Sequence, residues 1–347
     1  MAIQKITVEE FVKLSLAHPV FDVRSEGEFT HAHIPGAFNL PLFNNEERAV
    51  VGTIYKQSSR ELAIKKGLEF FGPKMKDMIV FVEKTIAKTN PENKTVLVHC
   101  WRGGMRSAGV AWLLDLYGFK VFTLVGGYKA FRNWVLGKFE QKFDFKILGG
   151  YTGSGKTIVL KALKEKGAAV VDLEGLAGHK GSAFGNIGLP KQPSQEMFEN
   201  KLSVELEAIA HNKPGQSIWL EDESQRIGTV NIPQPLWNHI RTCPVAFLDI
   251  PFEARLDYLV ETYGKLDKTE LGEAIKRIQK RLGGLETKMS LQFLEENNLK
   301  ECFSILLKYY DKQYGKGLNN RPEPKPTVTT IPTIVVNDSI NADLLLK

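Results

Sequence analysis

The run Val96-Leu97-Val98-His99-Cys100-Trp101-Arg102-Gly103-Gly104-Met105-Arg106-Ser107 constrains this chain more than any other stretch. A β-branched strand ends on a cysteine, a short loop with two glycines follows, and an apolar helical run begins near residue 108. A strand–loop–helix of this kind turns its backbone N–H groups toward one point. The following helix adds the positive end of its dipole there, and Arg106 adds a full charge. A thiol in such a cradle has its pKa lowered and becomes a nucleophile. Cys100 and Arg106 are therefore the expected catalytic pair. Trp101, Arg102, Gly103, Gly104, Met105 and Ser107 form the expected anion cradle around them.

Two chemistries share this loop. Its spacing fits the cysteine-phosphatase pattern H-C-x-x-G-x-x-R-S, and it also resembles the sulfur-carrying loop of rhodaneses, commonly one residue shorter. The segment Phe21-Asp22-Val23-Arg24-Ser25-Glu26-Gly27-Glu28-Phe29 separates the two. With His31, His33, Ile34-Pro35-Gly36-Ala37 and Asn39-Leu40-Pro41, it closely resembles the first rhodanese signature. A rhodanese-like α/β domain is expected over residues 1–137. Asp22 and Arg24 are expected to form a salt-bridged pair beneath the loop.

A second motif lies at Gly150-Tyr151-Thr152-Gly153-Ser154-Gly155-Lys156-Thr157, which fits the Walker A pattern G-x-x-x-x-G-K-T. An apolar strand precedes it and a helical run follows. Gly150, Thr152, Gly153, Ser154 and Gly155 are expected to close their N–H groups on phosphate oxygens. Lys156 is expected to reach the outer phosphates, and Thr157 can ligate Mg²⁺. The apolar strand Ser217-Ile218-Trp219-Leu220 ends in Glu221-Asp222-Glu223, where a P-loop protein places its metal-side carboxylates. Asp222 or Glu221 is the expected magnesium-side residue, and Gln225-Arg226-Ile227-Gly228 could line the same cleft.

The 347 residues suit two domains. Strands are expected near residues 20–23, 95–99 and 121–124 in the first. In the second they are expected at 145–148, 169–173, 218–221, 245–250 and 333–336. The alternation with helices predicts a P-loop NTPase-like parallel-sheet domain over 138–347, with a charged helical C-terminal portion at 268–310. The polar stretch 137–144 is the expected joint, and Arg321–Pro326 is a proline-rich run. Three scattered cysteines, Cys100, Cys243 and Cys302, make neither a disulfide framework nor a zinc site, and they point to a reducing compartment. No run of about twenty apolar residues appears, so no membrane segment is expected. The start of the chain lacks a signal-peptide pattern, and a cytoplasmic location is the expectation. The net charge of +6 is compatible with nucleic acid.

The strings taken together resemble the tRNA 2-selenouridine synthase family. The resemblance lies in His99–Ser107, in Gly149–Thr157, and in Glu221-Asp222-Glu223-Ser224-Gln225-Arg226-Ile227-Gly228. Its most distinctive part is Asp172-Leu173-Glu174-Gly175-Leu176-Ala177 with His179-Lys180-Gly181-Ser182-Ala183-Phe184-Gly185. The resemblance implies exchange of sulfur for selenium in wobble-position 2-thiouridine of tRNA, through an S-geranyl intermediate. It implies geranyl diphosphate and selenophosphate as substrates, tRNA as partner, a selenophosphate-producing enzyme as donor, and no tightly bound cofactor. The alternatives are an ATP-dependent kinase or NTPase fused to a regulatory rhodanese or cysteine-phosphatase-like module, and a phosphate-sensing scaffold. The intact Cys100, Lys156 and Thr157 disfavour the scaffold.

A tRNA-binding face is expected at Lys276-Arg277-Ile278-Gln279-Lys280-Arg281, with Arg277, Lys280 and Arg281 as contacts. On one helix, residues 276 and 280 and residues 277 and 281 are i,i+4 pairs. Such like charges repel by roughly a few tenths of a kcal/mol, which RNA phosphates would offset. Glu270 and Glu273 could balance a solvated face equally well.

Overall fold

Two five-stranded parallel sheets organise the chain in a computed structural model that describes residues 3–89, 94–323 and 325–347. Met1 and Ala2, and Pro324 of the proline-rich run, lie outside the described residues. The chain divides into two compact units. One is Met1–Lys138 with Glu199–Val204, and the other is Phe139–Phe198 with Glu205–Lys347.

The first unit contains β1 (Gln4–Ile6), β2 (Val20–Asp22), β3 (Phe38–Asn39), β4 (Thr95–His99) and β5 (Lys120–Leu124), in the order β1-β5-β4-β2-β3. Strand β4 is central. Val96 through Cys100 are all buried, and a strand covered on both faces reads as an unbroken apolar run. Phe21, Val96, Val98, Val110 and Leu114 are among the residues of the core. The edge strands β1 and β3 are not apparent in the sequence. They are two or three residues long and not fully buried, so they carry no apolar periodicity.

The second unit contains β6 (Phe145–Gly150), β7 (Ala169–Val170), β8 (Ile218–Glu221), β9 (Arg226–Ile227), β10 (Val230–Asn231), β11 (Val245–Asp249) and β12 (Val328–Pro332). Its sheet runs β12-β11-β6-β8-β7, and β9 and β10 form a separate antiparallel hairpin. The strands that follow β6 build outward on both of its sides. The carboxyl end of β6 is therefore a topological switch point, where open α/β sheets bind ligands. Because β6 and β8 are neighbours, with Leu148 opposite Glu221, the phosphate loop and the acidic strand end lie side by side.

Two strand expectations are corrected. The last strand is Val328–Pro332, not 333–336, and pairs along β11 from Val245↔Val328 to Asp249↔Pro332. Beyond it, Asn341 captures the turn through Thr333 Oγ1 at 2.9 Å and the Val335 carbonyl at 3.0 Å, while Val336 packs into the core. Strand β7 stops at Val170 because the Asp172 side chain caps the helix Leu173–Ala177, accepting from Gly175 N–H at 2.7 Å. The helical portion comprises Lys268–Arg277, Gln279–Leu282, Gly284–Glu295 and Leu299–Asn319, around a core including Leu256, Leu271, Ile275 and Leu306. Among the described residues no helix is long and apolar enough to cross a membrane.

Candidate functional site

In the first unit Cys100 follows β4 directly, and the helix Met105–Tyr117 begins five residues later. The turn exists because the backbone is pinned from outside. Tyr128 N–H donates to the Cys100 carbonyl at 2.8 Å, and Lys129 N–H donates to that of Trp101 at 3.0 Å. Only glycine fits at 127: a Cβ there would lie 2.4 Å from the Cys100 carbonyl oxygen, with φ at +59°. The loop is thus held with its own N–H groups facing inward.

Cys100 Sγ lies 3.2 Å from Ser107 Oγ. Burial alone raises the Cys100 pKa. Hydrogen bonds from the Ser107 side chain, and from the N–H groups of Ser107, Gly104 and Arg102, outweigh it, so the thiol sits below its ordinary value. Arg106 does not supply this shift. Its Nη1 donates to Glu28 Oε2 at 2.9 Å, which corrects the expectation that its charge faces the thiol. Trp101 and Met105 are exposed at the rim of the loop.

Asp22 and Arg24 form the expected pair, fully buried, with Arg24 Nη2 2.6 Å from Asp22 Oδ2. Arg24 also donates to the Ala32 carbonyl at 2.8 Å and lies 3.8 Å over the Tyr128 ring. Burial raises the Asp22 pKa, but His99 and Arg24 draw it below its usual value. Asn39 donates to the carbonyls of both Asp22 and Arg24. The sequence contained Glu28 and Tyr128 without marking their roles. Glu28 was hidden as one acid of a signature, and Tyr128 as the residue after a glycine pair.

In the second unit the phosphate loop caps β6, and the helix Lys156–Glu165 starts at Gly155. Gly150, Gly153 and Gly155 take φ of +152°, +81° and +74°, so the loop coils too tightly for side chains at these positions. Lys156 Nζ donates to the Gly150 carbonyl at 2.9 Å, across the mouth of the loop. The buried Ser154 hydroxyl has no hydrogen-bond partner among the described residues. Arg255 supports the loop from behind. It donates to the Thr152 carbonyl at 3.0 Å and is paired twice with Asp311 at 2.8 Å.

Of the two acids expected on the metal side, Glu221 lies in the acid cluster beside the phosphate loop, whereas Asp222 is engaged by other side chains. Arg321 donates to Asp222 Oδ1 at 2.6 Å and Tyr314 to its Oδ2 at 2.7 Å. Tyr314 in turn accepts from Gly150 N–H at 3.1 Å. Glu174, from the distinctive segment, joins Glu221 beside the phosphate loop. Thr157 Oγ1 donates to Glu174 Oε2 at 2.9 Å, and Glu174 N–H donates to Glu221 Oε1 at 2.7 Å. Glu223 joins them, since a Cβ on Gly181 would lie 2.5 Å from Glu223 Oε2 and 2.8 Å from Glu174 Oε1.

Burial raises the pKa of all three acids; the charge of Asp172 adds to the rise of Glu174, and that of Glu174 to the rises of Glu221 and of Glu223, the last to about 8. Glu221 Oε2 is buried with no hydrogen-bond partner among the described residues. Thr157, Glu174 and that orphaned oxygen suit a hard cation. Among the described residues no group of three or more His, Cys, Asp or Glu side chains is arranged to hold a metal ion.

The segment carrying Gly181 is clamped from its other side. Phe184 and Ile187 sink into the helical core. Ala183 N–H donates to Tyr310 Oη at 3.3 Å, and Arg277 donates to the Ala183 carbonyl at 3.0 Å. Arg277 is thereby engaged within the fold, and Lys276 pairs with Glu273 at 2.9 Å. The expected i,i+4 cation pairs are also corrected. The helix ends at Arg277 and another starts at Gln279, because Ile278 and Leu282 turn inward onto the helical core. Lys280 and Arg281 remain exposed. The hairpin β9–β10 carries Arg226, whose guanidinium closes on the Gly228 carbonyl at 2.9 Å.

Residues 143–330 match the family model described as the tRNA 2-selenouridine synthase AAA domain, and residues 7–133 match the rhodanese-like domain. The tRNA 2-selenouridine synthase of Sulfurovum sp. (strain NBC37-1) is 35% identical, the match covering 85% of this chain and 87% of that protein. That of Nitrosomonas europaea is 34% identical over 86% and 76%, and that of Bdellovibrio bacteriovorus 40% identical over 71% and 64%. By its matched domains, their order and these relatives, the chain belongs to the tRNA 2-selenouridine synthase family.

Proposed function

We propose that the chain converts wobble-position 2-thiouridine of tRNA into 2-selenouridine in two steps, one at each loop. At the phosphate loop, the sulfur of 2-thiouridine attacks C1 of geranyl diphosphate. A C–S bond forms, the C1–O bond breaks and diphosphate departs. At the cysteine loop, selenophosphate sits in the anion cradle beside Cys100. Its selenium bonds to C2 of the base and geranyl thiolate leaves; the Se–P bond then breaks with its pair on selenium, and the phosphoryl group passes finally to water as phosphate. Alkylation makes the second step feasible, because a thioether sulfur is a far better leaving group than a thiocarbonyl sulfur.

The residues suit these tasks. The loop N–H groups and Lys156 oppose charge that grows on the leaving diphosphate. A magnesium ion bound by Thr157 and Glu174 would neutralise more of that charge. Lys280 and Arg281 offer exposed cations to tRNA phosphates, and a selenophosphate-producing enzyme supplies the donor. The carrying observation is the conjunction, in one chain, of a Lys156 phosphate loop and a cysteine whose pKa is drawn down inside an anion cradle.

The test is a reconstituted assay with thiolated tRNA. Lys156→Ala is expected to slow geranylation by about 10²–10³-fold. Cys100→Ser is expected to accumulate S-geranyl-2-thiouridine and form no selenouridine. A Lys156→Ala protein that prenylates normally but no longer binds ATP would return the chain to the NTPase reading.

A further inference from the structure

The cysteine loop gathers hydrogen-bond donors around Cys100 Sγ. Five residues separate Cys100 from Arg106. The N–H groups of Arg102, Gly104 and Ser107 converge on the sulfur, and the Ser107 hydroxyl stands 3.2 Å from it. Tyr128 and Lys129 hold the Cys100 and Trp101 carbonyls turned outward, so the inner surface of the loop presents donors. A tetrahedral anion with three oxygens matches such a surface.

Electron bookkeeping separates two roles for the thiolate. Selenophosphate holds selenium at the selenide level on pentavalent phosphorus. If the Cys100 thiolate attacked selenium, an S–Se bond would form and the Se–P pair would remain on phosphorus, expelling it at the phosphite level. Sulfur and selenium would be oxidised and phosphorus reduced. If the thiolate attacks phosphorus, an S–P bond forms, the P–Se bond breaks with its pair on selenium, and no oxidation state changes.

We propose, resting on the function above, that Cys100 accepts the phosphoryl group and does not carry selenium. Selenium first bonds to C2 of the base while still bearing its phosphoryl group. Cys100 Sγ then attacks phosphorus, and the Se–P pair passes to selenium, which shares it with the uracil ring. Water attacks the cysteinyl thiophosphate: a P–O bond forms, the S–P pair returns to sulfur, and the water proton leaves with phosphate. Ser107 receives the returning thiolate with a hydrogen bond. Arg106 is a second ligand for the phosphoryl oxygens. Its pair with Glu28 is partly solvent-exposed, and a phosphate dianion competes for the same guanidinium.

The experiment uses the full chain, S-geranylated tRNA and selenophosphate labelled with radioactive phosphorus, quenched and run on a denaturing gel. Phosphorus NMR identifies the released species. Label is expected on the wild-type protein, none on Cys100→Ser, and several-fold more on Ser107→Ala, whose thiophosphate breaks down slowly. The released species is expected to be phosphate. Phosphite release with selenium on Cys100 overturns the assignment. So does selenouridine formed with no protein-bound label in either wild type or Ser107→Ala. Both results leave the two-step function standing, whereas failure to form selenouridine at all removes that function and this step together.

Discussion

Thr157 donates its hydroxyl hydrogen to Glu174 at 2.9 Å, joining the last residue of the phosphate loop to the first turn of the helix Leu173–Ala177. Glu174 is in turn held by its N–H on Glu221. The carboxylate nearest the phosphate-loop hydroxyl thus comes from a different strand end than the acidic triplet.

If magnesium assists diphosphate departure, Glu174→Gln is expected to weaken the magnesium dependence of geranylation by about 10- to 100-fold. Asp222→Asn is expected to leave that dependence intact, because Asp222 is occupied by Arg321 and Tyr314. A magnesium titration of both variants checks this, and the reverse ranking would sink the assignment of Glu174.

The acid cluster predicts a pH signature. The Glu223 pKa is raised to about 8 in the fold, above its ordinary 4.5. A raised acid contributes stability that is complete below the unfolded pKa and is lost as pH rises through the folded one. Wild type is therefore expected to lose stability between about pH 5 and 9. Glu223→Gln removes the titrating group and flattens that decline, so its Tm is expected to exceed wild type at pH 9 and match it more closely near pH 5. Parallel declines in thermal melts across this range would contradict the shift.

The three thiols are expected to react very differently. Cys100 is drawn below the ordinary value of 9.0, whereas burial raises Cys243 and takes Cys302 to about 12. Iodoacetamide labelling near neutral pH, read by peptide mapping, is expected to modify Cys100 first. Ser107→Ala is expected to shift the labelling profile of Cys100 to higher pH. A profile unmoved by that change would remove Ser107 from the cause.

Asp22→Asn is expected to destabilise the first unit by about 3–5 kcal/mol, because it leaves the Arg24 guanidinium buried without its counter-charge. The folded Asp22 pKa is lowered, so its contribution holds above the unfolded value of 3.8 and disappears as pH falls through the folded one. Denaturant melts at neutral pH measure the loss. A cost under about 1 kcal/mol would mean that water reaches the pair.

For tRNA, reversing Lys280 and Arg281 to Glu is expected to weaken binding and flatten its salt dependence while the fold persists. Arg277→Glu is expected to act differently. It releases the Ala183 carbonyl and loosens the segment beside Glu174 and Glu223, so catalysis falls more than tRNA affinity. Unchanged affinity of the Lys280 and Arg281 variant across a salt titration would place tRNA elsewhere.

Local chemistry made much of this legible in advance. Cys100 with its loop, and Gly150 through Thr157, are contiguous, and a strand–loop–helix that cradles an anion needs its residues close together in sequence. The apolar runs at β4, β8 and β11 announced themselves because buried strands must be apolar. Asp22 with Arg24 could be paired from a spacing of two residues. What sequence alone could not decide was which side chain meets which across long separations. Asp222 and Glu174 are both acids near strand ends, and only the tertiary structure, in which β8 lies between β6 and β7, sends one to Arg321 and the other to Thr157. Arg106 and Arg277 carry the same charge in the sequence as in the fold. Their partners, Glu28 and the Ala183 carbonyl, lie 78 and 94 residues away, and an ion pair or hydrogen bond at that range depends on how the intervening chain packs.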